Sequence, residues 1–290
     1  MELIPWSHDC AEHFTLRGWR SPASGKPLLH FIHGTGFCCL AYQPLLERLA
    51  EHFDLWLCDV QGHGDSDHGG AFVGWNRSAA LAIEAFQAGR GEYGQVACFA
   101  MGHSFGGVLT GLMLALQPGL FQRAVLLDPV VFSRSMLGVM SVATLFGMHR
   151  RHGLARKAAT RRSHWPDREA AYAALHGRGI FKGWHDEALQ AYVDHAIGDC
   201  GEGVVLKCRP AREVDVFSSF PRGLWAALAQ VQTPARVLHG ITTYPFVPVS
   251  LARWARLNPR VELREVPGGH CFMQEDPQAC ANEVQTYLLG

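Results

Sequence analysis

Ser104 stands in the run Gly102-His103-Ser104-Phe105-Gly106-Gly107, between an apolar segment and a stretch of helical periodicity. A serine on a strand-to-helix turn presents its hydroxyl outward, and the residues two before and two after it must be small because neighbouring backbone passes close by. Gly102 and Gly106 meet that demand. The helix that follows would aim its first amides at any negative charge developing there. The chemistry implied is nucleophilic attack by Ser104. A serine hydroxyl is a weak nucleophile until a base takes its proton, and imidazole titrates near neutrality, so a histidine partner is required. The chain offers 16 histidines for that role. It holds no HExxH motif or tight Cys/His pairing, and His63 and His68 lie among glycines in what reads as a turn. No metal and no other cofactor is therefore expected.

The elements that must position Ser104 are legible as alternating patterns. Apolar runs at Leu28 to Ile32, Phe53 to Cys58, Gln95 to Met101 and Ala124 to Leu127 read as strands. Periodic stretches at Tyr42 to Glu51, at Ser78 to Ala88 and from Phe105 to before Pro118 read as helices. Such alternation predicts a mostly parallel sheet covered by helices on both faces, an α/β fold. After Asp128-Pro129 the rhythm breaks, and the chain stays mostly helical in pattern until Pro234. Strand signals return at Ala235 to Gly240 and Val261 to Val266, with a helix near Val249 to Leu257 between them and a closing helix from Asp276 to Leu289. The division expected is a core of residues 1–129 and 233–290, with 130–232 inserted between two strands of one sheet.

Composition narrows the class. A chain of 290 residues with 48% apolar and 18% charged residues can bury a full core, which excludes disorder and a highly charged binding surface. Lys plus Arg and Asp plus Glu number 26 each, so no global charge argues for a nucleic-acid or anionic-membrane partner. No apolar run reaches the length of a membrane span. The segment Met1 to Cys10 lacks a basic region followed by an apolar run, and the 9 cysteines form no CxxC pair. Reduced thiols in a cytoplasmic protein are the expectation. Cys38, Cys39 and Cys271 adjoin the motifs described next, and packing is their expected role.

With these residues in view, the chain resembles the α/β-hydrolase superfamily, in its capped serine-hydrolase or esterase form, from about Lys26 to the C-terminus. The resemblance rests on the Ser104 motif, on His33-Gly34-Thr35-Gly36, on the turn Asp59-x-x-Gly62-His63-Gly64-x-Ser66, on Leu127-Asp128-Pro129 and on Gly269-His270. It implies that the N–H groups of Phe105 and of Thr35, or alternatively Gly36, form an oxyanion hole. It singles out His270 as the base. It also implies that Asp59, Gly62, His63, Gly64 and Ser66 hold a sharp turn, with Asp65 and Asp67 in a solvated loop.

The acid departs from the commonest pattern of that superfamily. An Asp is usual three residues after the Gly of His-Gly-x-x-Asp, and here His239-Gly240-Ile241-Thr242-Thr243 offers Thr243. Either the triad is incomplete or its acid comes from elsewhere, and Asp128 is the best candidate. It ends the strand after the nucleophile's strand, a position that serves haloalkane dehalogenases, and it keeps the order Ser, Asp, His. The competing reading is a loop carboxylate that caps backbone amides before Pro129.

The inserted segment corresponds to the lid of capped members. Its aromatics, among them Phe132, Phe146, Trp165, Phe181, Trp184, Phe217, Phe220 and Trp225, are expected to form mostly the lid's own small core. A minority would line an apolar pocket. His149 to His164 carries Arg150, Arg151, Arg156, Lys157, Arg161 and Arg162 without an acid. That reads as a solvated helix face, or else as a docking patch for an anionic group. The function expected is hydrolysis of a carboxylic ester of a small to medium hydrophobic molecule through an acyl-enzyme on Ser104. Thioester or C–C bond hydrolysis by the same residues is the alternative, and a non-catalytic small-molecule receptor is the rival from another class. The expected partner is a small-molecule ester, with no nucleic acid and no membrane span; a homo-oligomer is left open.

Overall fold

The computed structural model describes residues 1–150 and 153–290, so Arg151 of the basic stretch lies outside the described residues. The chain opens with an antiparallel hairpin, Ile4–Cys10 (β1) and Phe14–Arg20 (β2). The expected alternation follows: Leu28–Ile32 (β3), Gln43–Ala50 (α1), Asp54–Asp59 (β4), Trp75–Gly89 (α2), Cys98–His103 (β5), Phe105–Leu116 (α3) and Arg123–Leu127 (β6). Next come Arg134–Leu145 (α4), Gly153–Ala159 (α5), His164–Trp165 (β7), Arg168–Leu175 (α6), Asp186–Ala196 (α7), Ile197–Cys200 (β8), Gly203–Leu206 (β9), Pro210–Phe217 (α8) and Leu224–Ala229 (α9). The chain closes with Ala235–Gly240 (β10), Phe246–Leu257 (α10), Val261–Val266 (β11), Phe272–Glu275 (α11) and Pro277–Leu289 (α12).

Eight strands form one sheet in the order β1-β2-β4-β3-β5-β6-β10-β11. From β4 to β11 every neighbouring pair is parallel, and only β1 and β2 run antiparallel to their neighbours. The opening hairpin was not anticipated: four of the seven residues of β1 are exposed, and Pro5 falls within it. Along β3 the pleat sends Leu29 and Phe31 into one core, with α1, α7 and α12, and Leu28 and Ile32 into the other, with α2, α3, α9 and α10. His30 faces that second core, fully buried between Phe86 and Phe121.

The inserted region is mostly helical, as its pattern suggests, with one addition and one correction. The addition is a small antiparallel sheet of β7, β9 and β8, whose strands span only two to four residues, too short to show alternation. The correction is that its aromatics do not form chiefly a core of their own. Trp165, Phe181 and Trp184 pack into the same cluster as sheet residues Phe31 and Leu57, and Trp225 joins the cluster on the other face. The small separate cluster is Ala155, Ala158 and Val214, with Phe217 against it.

The turn after β4 serves the structural role expected. Asp59 accepts the amides of Cys39 at 2.7 Å and Asp65 at 3.1 Å, and Ser66 donates its hydroxyl to the Asp59 carbonyl at 2.6 Å. Its tail is no loosely solvated loop, since Asp65 accepts from Lys207 at 2.7 Å and Asp67 pairs with Arg17.

Candidate active site

Ser104 follows β5 directly and caps α3, with φ 55° and ψ −115°. That left-handed φ is unfavourable for a serine, and the surroundings enforce it. The Ser104 N–H donates to Leu127 O at 2.9 Å, and its own carbonyl accepts from Val108 at 3.1 Å. A Cβ at Gly102 would lie 2.4 Å from the Gly106 carbonyl, and one at Gly106 would lie 2.3 Å from the Ile32 carbonyl. Only glycine fits at either position, as the spacing predicts.

His270 follows β11 in the loop opened by Gly268, whose φ is +104°. Its Nε2 lies 2.9 Å from Ser104 Oγ, and its Nδ1 lies 3.0 Å from Asp128 Oδ1. An ionised carboxylate only accepts, so Nδ1 carries the proton and Nε2 is left to accept from the Ser104 hydroxyl. Asp128 itself ends β6 with φ 43° and no exposure to solvent. Its Oδ2 accepts the Gly240 amide at 2.9 Å, and its Oδ1 also accepts the Thr243 hydroxyl at 2.6 Å. The two readings of Asp128 are therefore not exclusive: one carboxylate caps an amide and faces His270. Thr243, at the position where the commoner pattern has its acid, donates to the Asp128 carboxylate. No sequence signal marked that contact, because it depends on β6 and β10 lying side by side.

A second buried chain of hydrogen bonds, also unforeseen, backs the site. Tyr42 Oη accepts the Gly34 amide at 3.1 Å and lies 2.6 Å from His103 Nδ1, while His103 Nε2 lies 3.0 Å from the His270 carbonyl. The carbonyl can only accept, so His103 holds its proton on Nε2 and takes the Tyr42 hydroxyl proton on Nδ1. Burial and the neighbouring His270 hold His103 well below the usual histidine pKa. The chain ties the Gly34 loop to the His270 loop.

That Gly34 loop passes close to Ser104: a Cβ on Gly34 would lie 3.3 Å from the Ser104 Cβ. Thr35 and Ser104 line one cavity. Gly36, with φ +79°, is tied elsewhere: its carbonyl accepts from Tyr192 at 3.2 Å, and its amide faces the Cys208 sulfur. The Phe105 N–H opens α3, where no carbonyl within the helix is available to it. Cys38, Cys39 and Cys271 are all buried, and burial raises their thiols well above the ordinary value, so they pack rather than react.

The cavity at Ser104 has a volume of about 300 Å³. Phe37, Trp75, Val130, Phe132, Ile180 and Phe246 are among the apolar side chains of its wall, and Tyr244 leans on the His270 ring at 4.7 Å. Phe132 and Phe217 are the members of the inserted aromatic set that reach it. In the basic stretch, Arg161 pairs with Glu213 and donates to Tyr192 at 2.7 Å, and Arg150 pairs with Asp215. Their acids come from α8, outside the stretch itself.

Comparison with known proteins agrees with this fold. The chain is 25% identical over 226 residues to the abhydrolase domain-containing protein AFT2-1 of Alternaria alternata, covering 65% of this chain and 81% of that protein. It is 28% identical over 144 residues to monoglyceride lipase of Mus musculus, 46% of either chain, so it spans about half the length of that lipase. The crystal structure of E-2-(acetamidomethylene)succinate hydrolase superposes over the full length of both chains with a TM-score of 0.80 at 20% identity, a likeness of fold. The model of the alpha/beta hydrolase family matches residues 31–283, nearly the whole chain, and the protein belongs to that family of hydrolases.

Proposed function

We propose that this protein is a serine hydrolase that cleaves carboxylic esters of small to medium hydrophobic molecules, with residues 130–232 as a cap over the site. One observation carries the reading: a serine hydroxyl 2.9 Å from a carboxylate-backed imidazole opens into an apolar cavity of about 300 Å³. Leu154, Ile180, Val216 and Phe217 of the inserted segment face that cavity, which supports the role of a cap.

In the proposed reaction His270 Nε2 takes the Ser104 proton as Oγ bonds to the acyl carbon. The carbonyl electron pair moves to oxygen, where the Phe105 and Thr35 amides stabilise it, each worth about 3 kcal/mol in comparable sites. Thr35 is preferred to Gly36 because the Gly36 amide faces a sulfur. Collapse re-forms the carbonyl and breaks the ester C–O bond, and the leaving alkoxide takes the proton held by His270. Water then repeats the sequence: it gives a proton to His270, attacks the acyl carbon, and releases the acid as Ser104 recovers its hydrogen. Asp128 keeps Nδ1 protonated and offsets the positive imidazolium.

Labelling by a fluorophosphonate probe, abolished in Ser104→Ala, is the expected result. Well-folded wild-type protein that takes no label would sink the proposal in favour of a receptor. A panel of esters graded in acyl length, with the matching thioesters, then reads the substrate class; higher kcat/KM on the thioesters would move the assignment to thioester hydrolysis.

A further inference from the structure

Helix α4 buries none of its residues. Val139, Val142, Leu145 and Phe146 are 70%, 52%, 83% and 73% exposed, at the three- and four-residue spacing that places them in one stripe. Met148 and Leu154 extend the apolar surface toward α5. A contiguous apolar patch of this kind marks an interaction surface.

The same stretch is cationic. Residues 129–166 hold seven Lys and Arg and no Asp or Glu. Two of the seven are neutralised from α8, Arg150 by Asp215 and Arg161 by Glu213. Arg134, Arg156 and Lys157 are exposed and have no ion-pair partner among the described residues. Helix α5 seats Ala155 and Ala158 on Val214, which leaves Leu154, Arg156 and Lys157 facing water.

This face also adjoins the site. A hollow of about 410 Å³ against α4, lined by Met136, Val139 and Met140, shares Phe132, Leu154 and Phe217 with the Ser104 cavity.

We propose that the α4–α5 face docks on an anionic lipid surface. The apolar stripe enters the boundary between headgroups and acyl chains, Arg134, Arg156 and Lys157 meet the lipid phosphates, and the cavity opens toward the bilayer. Charge decides between the occupants. A second copy of the chain would press one cationic rim against another, whereas an anionic surface neutralises the rim. The exposed row of Val, Val, Leu and Phe offers no hydrogen-bonding side chain to orient a protein partner. No helix among the described residues is long and apolar enough to cross a membrane, so the docking is peripheral.

The test is co-sedimentation of the full chain with vesicles of phosphatidylcholine, alone or with about 30 mol% phosphatidylglycerol. Binding is expected to the anionic vesicles. It should weaken on the order of tenfold in the double variant Leu145→Asp/Phe146→Asp, and again when NaCl is raised, because screening shortens the reach of the phosphates. In Arg156→Glu/Lys157→Glu the preference for phosphatidylglycerol should disappear. Unchanged thermal unfolding and unchanged fluorophosphonate labelling of these variants show that fold and site are intact. Wild-type protein that ignores both vesicles, or variants that bind as well as wild type, would overturn the proposal. So would a lipid-free dimer that Leu145→Asp/Phe146→Asp converts to monomer. Vesicle binding is read without turnover, so a protein that binds lipid yet hydrolyses no ester would contradict only the proposed reaction.

Discussion

At Asp128 a single buried carboxylate meets three donors: the Gly240 amide, the Thr243 hydroxyl and His270 Nδ1. Removing its charge should stop turnover while leaving the amide contact partly replaced. Asp128→Asn is expected to lower kcat by about 10⁴, as loss of the triad acid does elsewhere, with the circular dichroism spectrum unchanged. Near-normal kcat would refute the role. Because Thr243 Oγ1 lies 2.6 Å from Asp128 Oδ1, a carboxylate placed at 243 comes within reach of the same imidazole. Adding Thr243→Asp to Asp128→Asn should therefore recover at least tenfold of the loss, on the order of 1.4 kcal/mol of transition-state stabilisation. No recovery would mean that the backbone at 243 holds its side chain off the His270 axis. Thr243→Val alone removes a hydrogen bond to a charged group, worth about 1.5–3 kcal/mol, and should lower kcat/KM by roughly 10- to 100-fold, a smaller loss than Asp128→Asn gives.

The elements carry their own liabilities. Strand β3 buries His30 with both ring nitrogens unpartnered. Burial pushes its pKa down to about 3, from the ordinary 6.5 of a histidine. Between those values the unfolded chain binds a proton that the folded chain refuses, so stability is present above about pH 6.5 and is lost as the pH falls, by about 1.4 kcal/mol per unit. His30→Leu removes the titration and the unpartnered nitrogens while keeping the volume close. Its gain in urea-unfolding free energy should be about 2 kcal/mol larger at pH 5 than at pH 8. Equal gains at the two pH values would show that His30 is not the group responsible. The same strand explains why Gly106 is fixed: α3 begins so close under β3 that the carbonyls of Ile32 and His33 leave no room for a methyl group.

For the whole molecule, the zero net charge conceals a division. Residues 129–232 carry 14 basic and 9 acidic side chains, and the remainder carries 12 and 17. The opposed signs meet at Lys207 and Asp65, 2.7 Å apart and partly exposed. An exposed pair of that kind contributes about 0–1 kcal/mol, whereas burying one large aromatic contributes about 1.5–3 kcal/mol, so burial dominates the seating of the inserted segment. Trp184 is the measure of it, stacked on Phe37 at 5.6 Å and meeting Phe181 edge-on at 4.9 Å. Trp184→Ala should cost about 3–5 kcal/mol in denaturant unfolding, and Lys207→Ala under about 1 kcal/mol. The reverse ranking would make the charge division the dominant force.

What the sequence determined by itself was local: a serine turn flanked by Gly102 and Gly106, and a strand–helix alternation. Each is dictated by backbone sterics or by a periodicity that operates over a few residues, and so is visible without neighbours, whereas His270 stood out from the other histidines only through the family resemblance. The strands β7 to β9 escaped because two to four residues carry too little pattern, and β1 because most of it is exposed. Only the tertiary structure decided the partners. Asp128 meets Gly240 across 112 residues because β6 and β10 are adjacent and in register, with Leu127 opposite Leu238. Tyr42 likewise reaches His103 across 61 residues. Whether the apolar residues of α4 were to be core or surface was equally open in one dimension. A helix has an inside only once something packs against it, and against the outer stripe of α4 no part of the described chain does.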